Sequence, residues 1–450
     1  MHRYRAVEPD GFSPSRLLYP TNRVISLREV LIQVDQLTHF LDAFTHKGFV
    51  AKPTRPAQRL LLAAVIGYGE NIGIRKMALI SKNITTATLE TVATQYFSPE
   101  MALKANDCIL SQSNVLPLTD LFRRQAKFIH TGSDGQKYDV SVPSLRASAS
   151  FKYFGNGEGK SVYSHLDEAG QLIHSTVFNA ADRESMYLLD AILYNEVITP
   201  DAHATDSHGF SEPNFAVTGL IDIELRPRFK TLHTQQLYSI DAPSLYRAEG
   251  YKLVPEGRID YEHLVSQWDE ILRLVVTVKL GYAKASTLFR RLNSYARQHP
   301  LYRALKDLGR LYKTRFILRY IAEPSLREAT EGMLSKVEHA NNFSAALTLG
   351  NNGAFAWQTH DEQLIAEGCK RLIMNAINYY NLLLMSDKLH RCTTESEKQE
   401  LLATILTSST HTWHHINLQG EYDFSDDIPA VIPFDLEALM RLSLERKAKR

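Results

Sequence analysis

A change of periodicity near residue 126 constrains this chain more than any other feature. Before it the pattern is helical. Ser26 and Glu29 form a capping-box pair, and Val30, Leu31, Val34, Leu37, Leu41 and Phe44 then recur at helical spacing. Ser98-Pro99-Glu100 is a second helix start, with proline at the first helical position. After residue 126 short extended segments alternate with turns. Residues 128–133 read as a strand closing on the turn dipeptide Asp134-Gly135. Residues 161–167 and 172–178 read as two strands joined by Glu168-Ala169-Gly170, hence a hairpin. Residues 183–194 are helical in pattern, with Met186, Leu189, Ala191 and Leu193 as core contacts. A short strand over 203–206, a helix over 212–221 and a last strand over 229–232 follow.

Strand, strand, strand, helix, strand, helix, strand is an α/β order, that of a ribonuclease-H-like core. Its first and fourth strands lie side by side, so Asp134 and Asp206 are expected to end together. Residues 240–325 interrupt this order with helical sequence. Pro324-Ser325 then opens a helix in which Leu326, Met333, Val337 and Ala340 share one face. The expected organisation is a helical region over 1–125, the first part of the core over 126–239, a basic helical insertion over 240–325, and core completion with C-terminal helices over 326–450. At 450 residues the chain is too long for one compact core.

Three acids stand out as one candidate site: Asp134, Asp206 and Glu338. Alone, Asp134 is explained by a turn and Glu338 by a solvated helix face. Asp206, in Ala204-Thr205-Asp206-Ser207-His208-Gly209, is the more specific, because a short strand delivers it just before a glycine. Together they supply the oxygen donors that paired Mg2+ ions require, with Mn2+ as a substitute. Such a pair activates an attacking oxygen and neutralises a leaving one at a phosphodiester, so the chemistry expected is cutting and joining DNA.

The net charge of the chain is only +1, yet residues 278–320 hold eleven Lys or Arg against a single acid, Asp307. The cations are Lys279, Lys284, Arg290, Arg291, Arg297, Arg303, Lys306, Arg310, Lys313, Arg315 and Arg319. Tyr282, Phe289, Tyr295, Tyr302, Tyr312, Phe316 and Tyr320 interleave with them. Phosphates attract such a surface and planar rings stack on bases, so these cations are candidate DNA contacts. The competing explanation is a solvated face over an aromatic core. Gly155 to Ser161 approaches a phosphate-binding loop, but Phe154 stands where a glycine is needed and an extended segment follows, so a turn is expected. No histidine pair has zinc spacing, and His414-His415 reads as structural. Cys108, Cys369 and Cys392 are far apart, so neither a disulfide framework nor a zinc site is expected, and a reducing cytoplasm is the default. The apolar run at residues 60–67 is less than half a membrane span.

The chain resembles the Tn-three family of transposases, from bacterial replicative transposons, at a series of short motifs in shared order. Asn71-Ile72-Gly73-Ile74, Ser133-Asp134-Gly135-Gln136 and Lys152-Tyr153-Phe154-Gly155 come first. Thr205-Asp206-Ser207-His208-Gly209-Phe210, Arg226-Pro227-Arg228 and Ser335-Lys336-Val337-Glu338 follow. Asn375-Ala376 before Tyr380-Asn381, and His415-Ile416-Asn417-Leu418 before Gly420 and Tyr422, complete the series. Ser335 and Val337 stand where the family has Asn and Gly, and Tyr380 where it has Trp. The resemblance implies a DDE triad of Asp134, Asp206 and Glu338, at intervals of 72 and 132 residues. It implies Mg2+-dependent nicking at transposon ends and transfer of the freed 3′-hydroxyl to target DNA. It implies inverted-repeat and target DNA as partners, a homodimer as an assembly, and a cytoplasmic, nucleoid-associated location in bacteria. Arg228 joins the DNA contacts on this basis. The family's members extend further at the N-terminus, so the expectation is a chain that keeps the metal site without full recognition of the transposon ends. The alternative is a non-catalytic DNA-binding or dimerising remnant.

Overall fold

The computed structural model describes residues 18–445, apart from 21–23, 49–53, 126, 143, 145–146, 150, 194–196, 295–298, 420–421 and 426–431. The N-terminal layer is helical as its spacing requires. Helix α1 (Leu27–Thr38) starts on the expected capping box: Ser26 Oγ accepts from the Glu29 N–H, and the Glu29 carboxylate accepts from the Ser26 N–H, each at 3.1 Å. Helix α2 spans Gln58–Gly69. Helix α3 (Pro99–Asn114) starts at Ser98, whose hydroxyl accepts from the Met101 N–H.

The sheet that follows contains β1 (His130–Asp139), β2 (Glu158–Asp167), β3 (Leu172–Asn179), β4 (Ala202–Thr205) and β5 (Glu224–Pro227). Their spatial order is β3-β2-β1-β4-β5. The β3/β2 and β2/β1 pairs are antiparallel, and β1/β4 and β4/β5 are parallel. The two-residue strand Ser148–Ala149 pairs with the start of β2. The hairpin turn at Gly170 has φ +79, which suits glycine.

Three sequence expectations shift. Strand β1 does not stop at Asp134-Gly135 but stays paired with β2 as far as Asp139, opposite Gly159. The fifth strand is Glu224–Pro227, not 229–232. Leu225 is buried, and Pro227 needs no N–H here because the Arg228 N–H makes the last bond to the Thr205 carbonyl, at 2.9 Å. Phe229 instead enters the aromatic cluster of Phe210, Phe316 and Tyr320. The segment read as a helix over 183–194 divides into a 3-10 turn, Glu184–Met186, and a short helix, Leu188–Leu193.

Beyond the sheet come α4 (Glu212–Leu220), α5 (Ala285–Asn293), α6 (Pro300–Ala322), α7 (Pro324–Leu347) and α8 (His360–Arg391). The sheet is the middle layer between two hydrophobic cores. On one side α7 packs on β1, α8 packs on β3, and the N-terminal helices pack on α8, in one core that holds Val337, Phe343, Ile377 and Leu31. On the other, Tyr163 and Phe178 of the sheet meet Leu188, Phe215, Phe289 and Phe316. Two glycines set the spacing of these layers. A Cβ on Gly132 would lie 2.8 Å from Met333 Cγ and 3.1 Å from Val337 Cγ2, so its absence lets α7 close on β1. A Cβ on Gly309 would lie 1.8 Å from the carbonyl oxygen of Glu212, so α6 seats against the start of α4 only with glycine there. No described helix is long and apolar enough to cross a membrane.

Candidate metal centre

Strand register brings the first two acids together. Thr205, the last residue of β4, lies opposite Ser133 of β1. Asp134 is thus the first residue of β1 with no β4 partner, and Asp206 the first residue beyond β4. The Asp206 Oδ1 accepts from the backbone N–H groups of His208, at 2.8 Å, and Gly209, at 2.9 Å, which fixes the carboxylate at the strand end. Asp134, Asp206 and Glu184 each present an oxygen within 4.8 Å of the other two. Burial, then the negative charge of Asp206, pushes the Asp134 carboxyl up to about 7.

Glu184 was not among the sequence candidates. It begins the 3-10 turn after β3, in a segment whose apolar spacing reads as an ordinary helix. The signal that could have exposed it is Gly135. A Cβ there would lie 2.2 Å from Glu184 Oε1, so the glycine beside Asp134 leaves the space the Glu184 carboxylate occupies. Glu184 also pairs with Lys137 at 3.2 Å, and Lys137 donates to Ser161 Oγ at 2.5 Å.

Glu338 lies outside that three-carboxylate group. It is exposed on α7, the helix that closes on β1 at Gly132. One turn further along, Asn341 donates through Nδ2 to Asp134 Oδ2 at 3.1 Å, and its carbonyl accepts from Gln136 Nε2 at 3.2 Å. The structure therefore joins Asp134 and Asp206 directly, adds Glu184, and carries Glu338 on the helix that touches Asp134.

A neutral polar layer underlies the two strands. His203 contacts Thr131 Oγ1 at 2.8 Å through Nδ1 and Ser133 Oγ at 2.7 Å through Nε2. The Ser133 hydroxyl donates to Tyr163 at 2.7 Å, and the His165 ring stacks on His203 at 4.9 Å. Burial lowers His203 and His130 to about 3 and His165 well below its ordinary value. These imidazoles stay uncharged and lend the acids no cation. Their spacing matches no metal motif, and only the pairing of β1 with both β2 and β4 brings them together.

The basic stretch differs from its sequence appearance. Acids from other segments meet its cations: Asp182 pairs with Arg290 at 2.9 Å, Asp260 with Arg303, and Glu224 and Glu323 with Arg319. Arg310 pairs with Asp307 at 2.7 Å and lies over the Tyr238 ring. The Lys313 ammonium lies 5.5 Å from the Phe210 ring, and burial lowers its pKa. Arg228 pairs with Glu331 at 3.3 Å. Lys279, Lys284 and Arg291 are exposed and form no ion pair among the described residues. Arg297 and Tyr295 lie outside the described residues. Phe289, Phe316 and Tyr320 are buried in the core, not offered to bases, whereas Tyr282 is 80% exposed. The Gly155 to Ser161 segment is a turn that runs straight into β2 from Glu158, with no helix after it.

The model of the Tn3 transposase DDE domain family matches residues 29–422. The transposase for transposon Tn1546 of Enterococcus faecium is 29% identical over 422 residues, covering 93% of this chain and 42% of the relative. The transposase for Tn21 of Escherichia coli is 29% identical over 412 residues, covering 88% and 40%. The transposase for transposon gamma-delta of Escherichia coli K12 is 26% identical over 423 residues, covering 92% and 41%. The chain thus spans about two-fifths of the length of these relatives. With a family match running from α1 almost to the C-terminus and enclosing all the acids above, the chain belongs to the Tn3 transposase DDE domain family.

Proposed function

We propose that this chain performs the DNA cleavage and strand-transfer chemistry of a DDE transposase, on a ribonuclease-H-like core, with Asp134, Asp206 and Glu338 as its divalent-metal ligands. The observation that carries the proposal is the meeting of Asp134 and Asp206 just beyond the last residue pair of the parallel β1/β4 ladder. The sheet order, with its three-stranded antiparallel half and parallel β4 and β5, supports the core assignment.

The donor set fits a hard cation. It is all oxygen and partly buried, and burial, then the charge of Asp206, pushes the Asp134 carboxyl up to about 7. When bound, divalent ions supply Lewis-acid activation of an attacking hydroxyl and charge neutralisation at the leaving oxygen. The protein's part is positioning. Backbone N–H groups of His208 and Gly209 aim Asp206, Asn341 aims Asp134, and the neutral histidine layer holds the strands in register. Glu338 faces solvent on α7 within a turn of Asn341, where it can meet metal and DNA together. Transposon-end and target DNA are the substrates this assigns, with Lys279, Lys284 and Arg291 as backbone contacts.

The test is strand transfer by the full chain on pre-nicked transposon-end DNA with Mg2+ or Mn2+. Joined product from the native chain and none from Asp206→Asn, with DNA binding retained, is the expected result. Binding without joining by the native chain would replace this proposal with the non-catalytic remnant.

A further inference from the structure

We propose that Glu184 is a metal ligand of this centre, reaching it from the face of the sheet opposite α7. The inference rests on the reading of Asp134 and Asp206 as a metal site. Three observations carry it. The Glu184 carboxylate stands within 4.8 Å of both aspartates, so folding gathers three like charges that water would otherwise keep apart. It reaches that place through the gap left by Gly135, which a Cβ would fill to 2.2 Å. On the α7 side Asn341 touches the same Asp134, so this stretch of β1 is bracketed from both faces.

A purely structural role, as the ion-pair partner of Lys137, accounts for less. Lys137 is already met by Ser161 Oγ at 2.5 Å and by the rings of Tyr153 and Phe178 at 5.4 and 6.0 Å. Lys137 and Arg228, the latter already paired with Glu331, also do not offset three carboxylates. Hard divalent ions take six or more oxygens, so a fourth carboxylate beside Asp134, Asp206 and Glu338 adds both a donor and a charge. Glu184 is then in place before DNA arrives, while Glu338 is the ligand that comes from the solvent side.

The experiment measures Mn2+ binding to the full chain, without DNA, by loss of the free-ion signal in electron paramagnetic resonance. Native protein is compared with Glu184→Gln, Gly135→Ala and Asp206→Asn, each checked for folding by circular dichroism. Glu184→Gln removes the carboxylate, whereas Gly135→Ala keeps every charge and displaces Glu184 sterically. Both are expected to weaken Mn2+ binding on the order of 10-fold or more, the scale seen when even an indirect partner of a metal ligand is removed. Weakening by Glu184→Gln alone would show a charge acting through space and would overturn Glu184 as a ligand. Unchanged binding in both, with loss in Asp206→Asn, would overturn the inference and leave the site standing. Native affinity in Asp206→Asn would sink the metal site itself. Should Glu184→Gln fail to fold, Gly135→Ala decides the question alone.

Discussion

The acidic end of β1 and the basic segment of residues 278–320 carry charge in opposite ways. Where the β1/β4 pairing ends three carboxylates converge, with Lys137 paired to Glu184 and the charge of Arg228 reaching Asp134. Along the basic segment four of the ten described cations are matched, because Asp182, Asp260, Asp307 and the pair Glu224 and Glu323 meet Arg290, Arg303, Arg310 and Arg319, while Lys279, Lys284 and Arg291 stay outside any ion pair among the described residues. An unmatched charge cluster that folding assembles points to a ligand absent from the chain itself. A matched one points to the chain's own architecture. Sequence charge alone ranks the two regions equally as ligand sites, and the pairing separates them.

The largest test breaks the acidic side. Asp206→Asn is expected to reduce metal-dependent strand transfer on the order of 1,000-fold, the rate equivalent of several kcal/mol of charge stabilisation. A gel assay on pre-nicked DNA reads it, and a loss below tenfold would remove Asp206 from the chemistry. The next test treats the basic segment as architecture. Gly309→Ala places a methyl against the Glu212 backbone and is expected to cost about 1–3 kcal/mol of stability by denaturant unfolding. DNA affinity of the folded fraction should be unchanged.

A third test uses pH. Asp134 titrates at about 7 in the folded chain, against roughly 3.9 for an unfolded aspartate. Between those values the folded state holds more protons, so the stability linked to this group is present at low pH and lost as pH rises through 7. Asp134→Asn should therefore gain in melting temperature over the native chain between pH 5 and pH 8. Mg2+ should narrow that gap at pH 8, and parallel pH profiles would contradict the crowding described here. The smallest effect sharpens the basic side. Joint replacement of Lys279, Lys284 and Arg291 by alanine should flatten the salt dependence of DNA binding, by about 0.9 in the logarithmic slope for each phosphate no longer neutralised. Arg303→Ala, which removes a cation already held by Asp260, should change that slope little.

Local signals in the sequence carried much of the frame. The capping box at Ser26, the start at Ser98, the hairpin around Gly170 and the stripe on α7 are each written within a few residues. Asp134 and Asp206 were legible because a strand followed by an acid and a nearby glycine is a compact pattern. Glu184 was not, since its meaning depends on the missing side chain of Gly135, 49 residues earlier. The ion pairs of the basic segment were hidden for the same reason, as Arg303 meets Asp260 and Arg319 meets Glu224 only after folding. Several motifs that pointed to the family prove to be framework. Asn71 Nδ2 donates to the carbonyls of Gly350 and Ala354, and Asn375 binds both Asn106 and the backbone of Leu172. His415 stacks on Tyr19 at 4.1 Å.

Helix α8 has a consequence for how the molecule comes into being. Almost every side chain from Gln363 to Ser386 is buried, and the partners that bury them are distant in the chain. Asn375 reaches Asn106 across 269 residues, and Gln363 reaches Lys160 across 203. Until folding brings those partners in, the helix exposes Ile373, Ile377, Leu383 and Met385 together with Gln363 and Asn375, whose hydrogen-bond partners are equally distant. Non-local closure of this kind slows folding and lengthens the life of sticky intermediates. Synthesis must pass residue 391 before the central layer can close, so the sheet bearing the acids completes its packing only after α8 has been made.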